Sequence, residues 1–356
     1  MCYSKSYPMQ LPLPFSSQGS VYGRSQVVLA GDLGGTKTNL ALFRIEGEQL
    51  QTVKEAQYPS QEFKSLEPII NDFLKGFSLP DAACIGVAGP VLDGKVELTN
   101  LGWEIDSSAL AAGTGLPEVS LINDLEATAF GLALLEPKDT LLIHRGSAAA
   151  TGNIAVIAPG TGLGEAGLLW NGEFYQPFAT EGGHCDYAPR TKLDFDLYEY
   201  LLARFGHVDW ERLVSGPGIH NIYQFLRDEN KGAEPGWLAE SIAAGDPAAV
   251  ISKNIGKSEI CKLTVQLFIR YLAFESANLI LKMKATGGLF IGGGIAPRLI
   301  HLFEDYRFNN SLIGSGRMDE LLGKVPVSII LNTKTALLGA AFYGLHHSRA
   351  TIKTNI

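Results

Sequence analysis

The sequence predicts an α/β chain of two domains. Length sets the count: 356 residues at about 100–200 residues per domain. Strand candidates alternate with helical stretches, the pattern of mixed α/β packing. A glycine-turned strand unit opens near residue 27 and again near residue 153, each time leading into helices and further strands. That coarse duplication suggests two related domains.

Taken in order, Val27 to Ala30 is a short apolar strand running into Gly31-Asp32 and Gly34-Gly35-Thr36. Asn39 to Ile45 and Gln51 to Gln57 follow as strand candidates, the first two forming a glycine-turned hairpin. Phe63 to Phe77 has the apolar spacing of a helix. Ala82 to Ala88 is a continuous apolar run, as suits a strand buried on both faces. Val119 to Ile122 is a strand, followed by a helix from about Leu125 to Leu135. The pattern restarts with strands at Asn153 to Ala158, Ala166 to Trp170 and Glu173 to Tyr175. Helices dominate from about Phe195 to Lys284. Leu289 to Ile291 and Val327 to Leu331 are the last strands, and Thr335 to His346 the last helix.

Composition narrows the function. Hydrophobic residues make up 46% and charged residues 19%, enough core for a globular protein. The net charge of −8 and the lack of a Lys/Arg run argue against nucleic acid as a partner. The most apolar long segment, Val265 to Leu281, is interrupted by Arg270 and Glu275, so no membrane span is expected. Cys2, Cys84, Cys185 and Cys261 form no CxxC pair. Free thiols fit a reducing compartment, and a cytoplasmic protein is expected. Residues 1–25 hold prolines, serines and no acidic residue. They faintly resemble a transit peptide, but their composition favours a loosely packed tail.

Six glycine-rich or acidic motifs could carry chemistry. In Gly31-Asp32-Leu33-Gly34-Gly35-Thr36-Lys37-Thr38, glycines let backbone N–H groups approach an anion. Thr36 and Thr38 add hydroxyls, and Asp32 is an oxygen ligand suited to Mg²⁺, directly or through water. A plain hairpin turn would look the same. Gly160-Thr161-Gly162-Leu163-Gly164 starts a formal GxGxxG with Gly167. A dinucleotide fold needs a helix there, whereas Leu168-Leu169-Trp170-Asn171-Gly172 reads as strand and turn. A phosphate-holding hairpin fits better than a nicotinamide site. No GxxxxGK[ST] element is present.

Asp124, in Asn123-Asp124, sits between a strand and a helix. Alone it reads as a helix N-cap; at a strand end it could also be a general base. Thr180-Glu181-Gly182-Gly183-His184 offers a carboxylate and an imidazole for hydroxyl groups, or an incidental surface turn. Glu211, before Ser215-Gly216-Pro217-Gly218, is a second carboxylate or a solvated residue. Gly292-Gly293-Gly294 would let a flat ring lie close to backbone, or be an ordinary loop.

No single motif decides, but the ordered set, with Leu98-Thr99-Asn100 and Trp103, resembles the bacterial-type glucokinases over roughly residues 27 to 346. The resemblance implies the two-domain actin-like ATPase (ribonuclease H-like) fold. After a tail over 1–26, residues 27–134 plus 333–346 would form the small domain and 135–332 the large one, with a cleft between them. It implies ATP-dependent phosphorylation of glucose, with ATP and Mg²⁺, in a homodimer. Asn100, Asn123, Asp124, Glu181, His184 and Glu211 would hold the sugar, Asp124 also acting as base. Gly31, Asp32, Gly34, Gly35, Thr36, Lys37, Thr38, Gly160, Thr161, Gly162, Gly164, Gly292, Gly293 and Gly294 would bind ATP. Only Cys185 follows His184, which departs from the zinc-binding relatives. A kinase for another hexose or an N-acetylhexosamine, or a non-catalytic sugar/nucleotide sensor, stands as the alternative.

Overall fold

The computed structural model describes residues 11–13, 26–46, 49–147, 152–314 and 316–354. Among these, the chain divides into two compact units. The first takes the described residues up to 137, with 168–179 and those from 332 onward; the second takes 138–167 and 180–331.

Among the described residues, thirteen strands form three sheets. β1 (Gln26–Leu33), β2 (Lys37–Glu46), β3 (Gln49–Pro59), β4 (Ala82–Val87) and β7 (Val119–Asn123) make one of five, in the order β3-β2-β1-β4-β7. β5 (Lys95–Leu98) and β6 (Trp103–Asp106) form a separate antiparallel pair. β8 (Thr140–His144), β9 (Ile154–Pro159), β10 (Leu163–Trp170), β11 (Tyr175–Thr180), β12 (Gly288–Ile291) and β13 (Val327–Ile330) make a sheet of six, ordered β11-β10-β9-β12-β13-β8.

With the edge strand β8 left out, the two larger sheets share one order by chain position: third, second, first, fourth, fifth. The duplication suggested by the sequence is therefore a duplication of topology. β4 is parallel to β1 and β7, with all six of its residues buried. That is the environment its unbroken apolar run requires.

β5, β6 and β8 have no counterpart among the expected elements. β5 is only four residues long and alternates exposed and buried positions. Short strands of that kind give too weak a period to stand out from a loop. The expected helix over 63–77 is shorter, Leu66–Phe73. Lys192–Phe205 opens with a capping box, Thr191 and Asp194 each satisfying the other's backbone N–H.

The first unit's core lies under the helix Leu66–Phe73, with Leu29, Leu40, Ile85 and Trp103. In the second, the 25-residue helix Glu259–Met283 is buried among Tyr223, Phe225, Trp210 and Tyr187. Gly339, in the last helix Thr335–Thr354, meets the helix Asp124–Gly131 at backbone distance. A Cβ there would stand 1.7 Å from Ala127 O.

The loosely packed tail expected at the N-terminus does not describe residues 11–13. Leu11 and Leu13 are buried, and Tyr175 N–H donates to Pro12 O at 2.7 Å. Cys2 and the rest of residues 1–10 and 14–25 lie outside the described residues.

Candidate active site

In the first unit, the turn between β1 and β2 is closed by Gly34 N–H donating to Lys37 O at 3.0 Å. Ser60 braces it: its N–H donates to Thr36 O and its hydroxyl to Gly34 O, both at 3.0 Å. Thr36 and Lys37 stand exposed at the tip. Thr38 does not. It is fully buried, and its hydroxyl pairs with Ser60 Oγ at 3.0 Å. The hydroxyl expected to reach a phosphate is turned inward by β2 pairing and bonded to Ser60.

Gly31 is likewise not a loop residue. It lies inside β1, where a Cβ would stand 2.6 Å from Ile85 Cδ1, so its missing side chain serves sheet packing. Asp32 accepts an N–H from Asn39 Nδ2 at 3.1 Å. Burial pushes its carboxyl above the ordinary value, so a nearby cation would favour the ionised form. Asn100, in the turn between β5 and β6, is exposed and packs beside Gly35: a Cβ on Gly35 would lie 3.5 Å from Asn100 Cβ.

Asn123, not Asp124, caps the helix Asp124–Gly131. Its Oδ1 accepts from Leu125 N–H at 2.8 Å and from Glu126 N–H at 3.3 Å. Its amide donates to Gly89 O at 3.2 Å, which leaves its second amide hydrogen for a ligand. Asp124 is the first helical residue, its Oδ1 accepting from Leu125 N–H at 2.9 Å. A carboxylate there lies in the favourable field of the helix N-terminus. Gly86 of β4 gives the helix start room: a Cβ there would lie 3.6 Å from Asp124 Cα.

In the second unit, Gly160 to Gly162 connects β9 to β10 with Thr161 exposed at its tip. Gly160 N–H donates to Gly162 O at 2.8 Å, and Gly216 N–H to Gly160 O at 2.8 Å. β10 follows at once and contains Gly164, so the rejected dinucleotide reading stays rejected: no helix begins there. Gly293 has φ +74°, and a Cβ on it would stand 2.3 Å from Pro159 O. The Gly292-Gly293-Gly294 turn is thereby held directly against the end of β9.

Glu181 precedes and His184 ends the short 3-10 turn Gly182–His184, both exposed. The turn is fastened twice, by Glu211 N–H donating to Gly183 O at 2.9 Å and by Gly183's contact with Leu163 O, where a Cβ would be 2.1 Å away. His184 Nδ1 faces Asp209 Oδ2 at 3.3 Å. With Nδ1–H donating to that carboxylate, Nε2 is the acceptor. Asp209 Oδ1 also accepts from Arg212 N–H at 3.0 Å. Glu211 Oε2 accepts from Leu163 N–H at 2.8 Å and fills the space left by Gly162, where a Cβ would be 2.5 Å from it.

Asp209 and Glu165 escaped the sequence analysis, and Glu275 entered it only as a charge interrupting an apolar segment. Asp209 is two residues before Glu211 and looks like any polar residue; only the fold brings it to His184. Glu165 and Glu275 sit in apolar stretches, a buried-charge signal that is visible but ambiguous.

The chain's similarity to known proteins agrees with this arrangement. A family model described as Glucokinase matches residues 29–347. A glucokinase of Nostoc sp. (strain PCC 7120) is 41% identical over 334 residues, covering 88% of this chain and 98% of that protein. A solved glucokinase structure from an Antarctic psychrotroph is 32% identical with a TM-score of 0.77, covering 91% of this chain and all of that one. A ROK family glucokinase from Streptomyces griseus, solved in complex with glucose and AMPPNP, shares the fold at 20% identity. Its TM-score is 0.60, over 90% of this chain and 99% of that one.

Proposed function

This chain belongs to the glucokinase family, with its two-domain actin-like ATPase fold, and we propose that Asp124 is the general base of its reaction, transfer of a phosphoryl group from ATP to glucose. The observation that carries the assignment is the helix start. Asn123 supplies the cap through Leu125 and Glu126, and Asp124 opens the helix directly after β7, its Oδ1 accepting from Leu125 N–H, the strand-end position of a base. Asp124 would accept the proton of the sugar 6-hydroxyl as its oxygen bonds to phosphorus. Phosphoryl transfer asks chiefly for positioning and charge neutralisation.

In the first unit, Asn100 and the second amide hydrogen of Asn123 would hold sugar hydroxyls, and the exposed tip Thr36-Lys37 would meet phosphate oxygens. In the second, Glu181, Nε2 of His184 and the carboxylate of Glu211 are sugar partners, and the Gly160-Thr161-Gly162 turn offers phosphate contacts. Mg²⁺ would neutralise triphosphate charge when bound. Asp32 fits it: an oxygen donor that burial keeps from its own solvation.

A homodimer is part of this reading. The helix Lys192–Phe205 exposes Phe195, Leu202 and Phe205, apolar surface suited to a second copy; light scattering of the purified chain tests it. Cytoplasmic location is supported by the free thiols Cys84, Cys185 and Cys261, and fractionation tests it.

The deciding experiment is steady-state transfer from ATP and Mg²⁺ to glucose, mannose, fructose, N-acetylglucosamine and N-acetylmannosamine. Preference for glucose is expected. Preference for another sugar would reassign the substrate, and no transfer with ATP still bound would indicate a sensor.

A further inference from the structure

Glu165 is 1% exposed and points from β10 at the turn that carries Glu181 and His184. A Cβ on Gly182 would stand 1.9 Å from Glu165 Oε2, so the carboxyl group occupies the place of the absent side chain. Thr180 Oγ–H donates to Glu165 O at 3.1 Å and sits 3.3 Å from Gly182 N. The backbone of Glu165 and its side chain thus both support one turn.

Neither carboxyl oxygen of Glu165 has a hydrogen-bond donor. The group facing it is a second carboxylate, Glu275 on the helix Glu259–Met283, which is fully buried. Glu275 is well supplied, accepting from Asn278 Nδ2 at 2.7 Å and from Lys282 Nζ at 2.9 Å. The remaining charged or titratable groups acting on the cluster are Arg190, which reaches Glu275 through its charge and bonds Asn278, and Cys185, which faces Lys282. Two ionised carboxylates against Lys282 would leave one negative charge buried without a donor, a costly state. A proton on Glu165 turns it into a donor toward Glu275 and removes that unsupplied charge.

We propose that Glu165 is a positioning residue for glucose binding: its protonated carboxyl donates to Glu275 and wedges under Gly182, fixing the turn that presents Glu181 and His184. The proposal rests on the reading of that turn as a sugar site. Burial first, and the charge of Glu275 second, push the Glu165 carboxyl up to about 8. The proton is therefore held at neutrality and lost in mild alkali. Its loss puts a second negative charge beneath Gly182, and the turn loses its support.

The test is glucose KM, ATP KM and kcat between about pH 6 and about pH 10 for the wild-type chain, Glu165→Gln, Glu165→Ala and Glu181→Ala. The wild-type glucose KM should rise at least about fivefold from neutral to alkaline pH, with ATP KM steady. Glu165→Gln keeps the size and the donor, so its glucose KM should stay near the neutral wild-type value throughout. Glu165→Ala should raise glucose KM at every pH. A flat wild-type profile, or a Gln variant that keeps the alkaline rise, overturns the proposal. Glu181→Ala separates the two ideas: an unchanged glucose KM there removes the sugar reading of the turn itself. Should Glu165→Gln not fold, infrared spectroscopy of the wild-type chain decides. A protonated-carboxyl band at neutral pH that vanishes in alkali supports the assignment, and its absence at neutral pH overturns it.

Discussion

The carboxylate of Glu211 accepts the backbone N–H of Leu163 at 2.8 Å. A side chain proposed for the sugar is thereby bonded to the first residue after the glycine turn proposed for phosphate, within one unit. Glu211→Ala should raise both glucose KM and ATP KM, whereas Glu181→Ala should raise glucose KM alone. Losing a hydrogen bond to a charged group costs about 1.5–3 kcal/mol, roughly tenfold or more in affinity. Steady-state kinetics on the two variants checks the contrast; an unchanged ATP KM in Glu211→Ala would refute the coupling.

Asp124→Ala should lower kcat at least about 10²-fold with a much smaller change in glucose KM. The helix should survive, because Asn123 supplies its cap. Circular dichroism beside the kinetics separates lost chemistry from lost fold, and near-normal turnover would remove Asp124 from the base role.

Asp209→Ala should weaken glucose binding by roughly threefold or more, through a residue with no assigned sugar contact. It frees His184 to rotate and to change tautomer. Asp209→Asn should recover part of the loss, since it still accepts from Arg212 N–H. Calorimetric titration of glucose into the two variants measures this.

Stability carries a pH signature of Glu165. Folded, it holds a proton up to about 8; unfolded, it releases that proton near its ordinary 4.5. Between those values the folded state binds more protons, so this contribution falls as pH rises and is flat above about 8. Glu165→Gln removes that slope. Urea unfolding of both chains across the window should show the difference curve declining with pH, and a flat curve would contradict the assignment.

Gly339→Ala should destabilise the first unit by at least about 1–3 kcal/mol. The added Cβ would stand 1.7 Å from Ala127 O and 2.6 Å from Gly131 N, so two helix backbones must separate. A thermal melt within a degree of wild type would show that they separate at little cost.

Local sequence determined the glycine-turned units, the buried run at Ala82–Val87 and the ordered motifs, because each is set by neighbours a few residues away. Turn geometry needs particular glycines, and a strand buried on both faces needs an unbroken apolar run. What a side chain does at those motifs depends on partners far along the chain. Thr38 was legible as a loop hydroxyl, yet β2 pairing turns it inward onto Ser60, 22 residues on. Gly31 was legible as a phosphate glycine, yet Ile85 claims its space. Asp124 was legible as the helix cap, yet the side chain of Asn123 takes that place. Asp209 and the Glu165–Glu275 pair acquire meaning only when β10, the Glu181 turn and the helix Glu259–Met283 are packed together, since burial and charge proximity are properties of the tertiary structure and not of spacing along the chain.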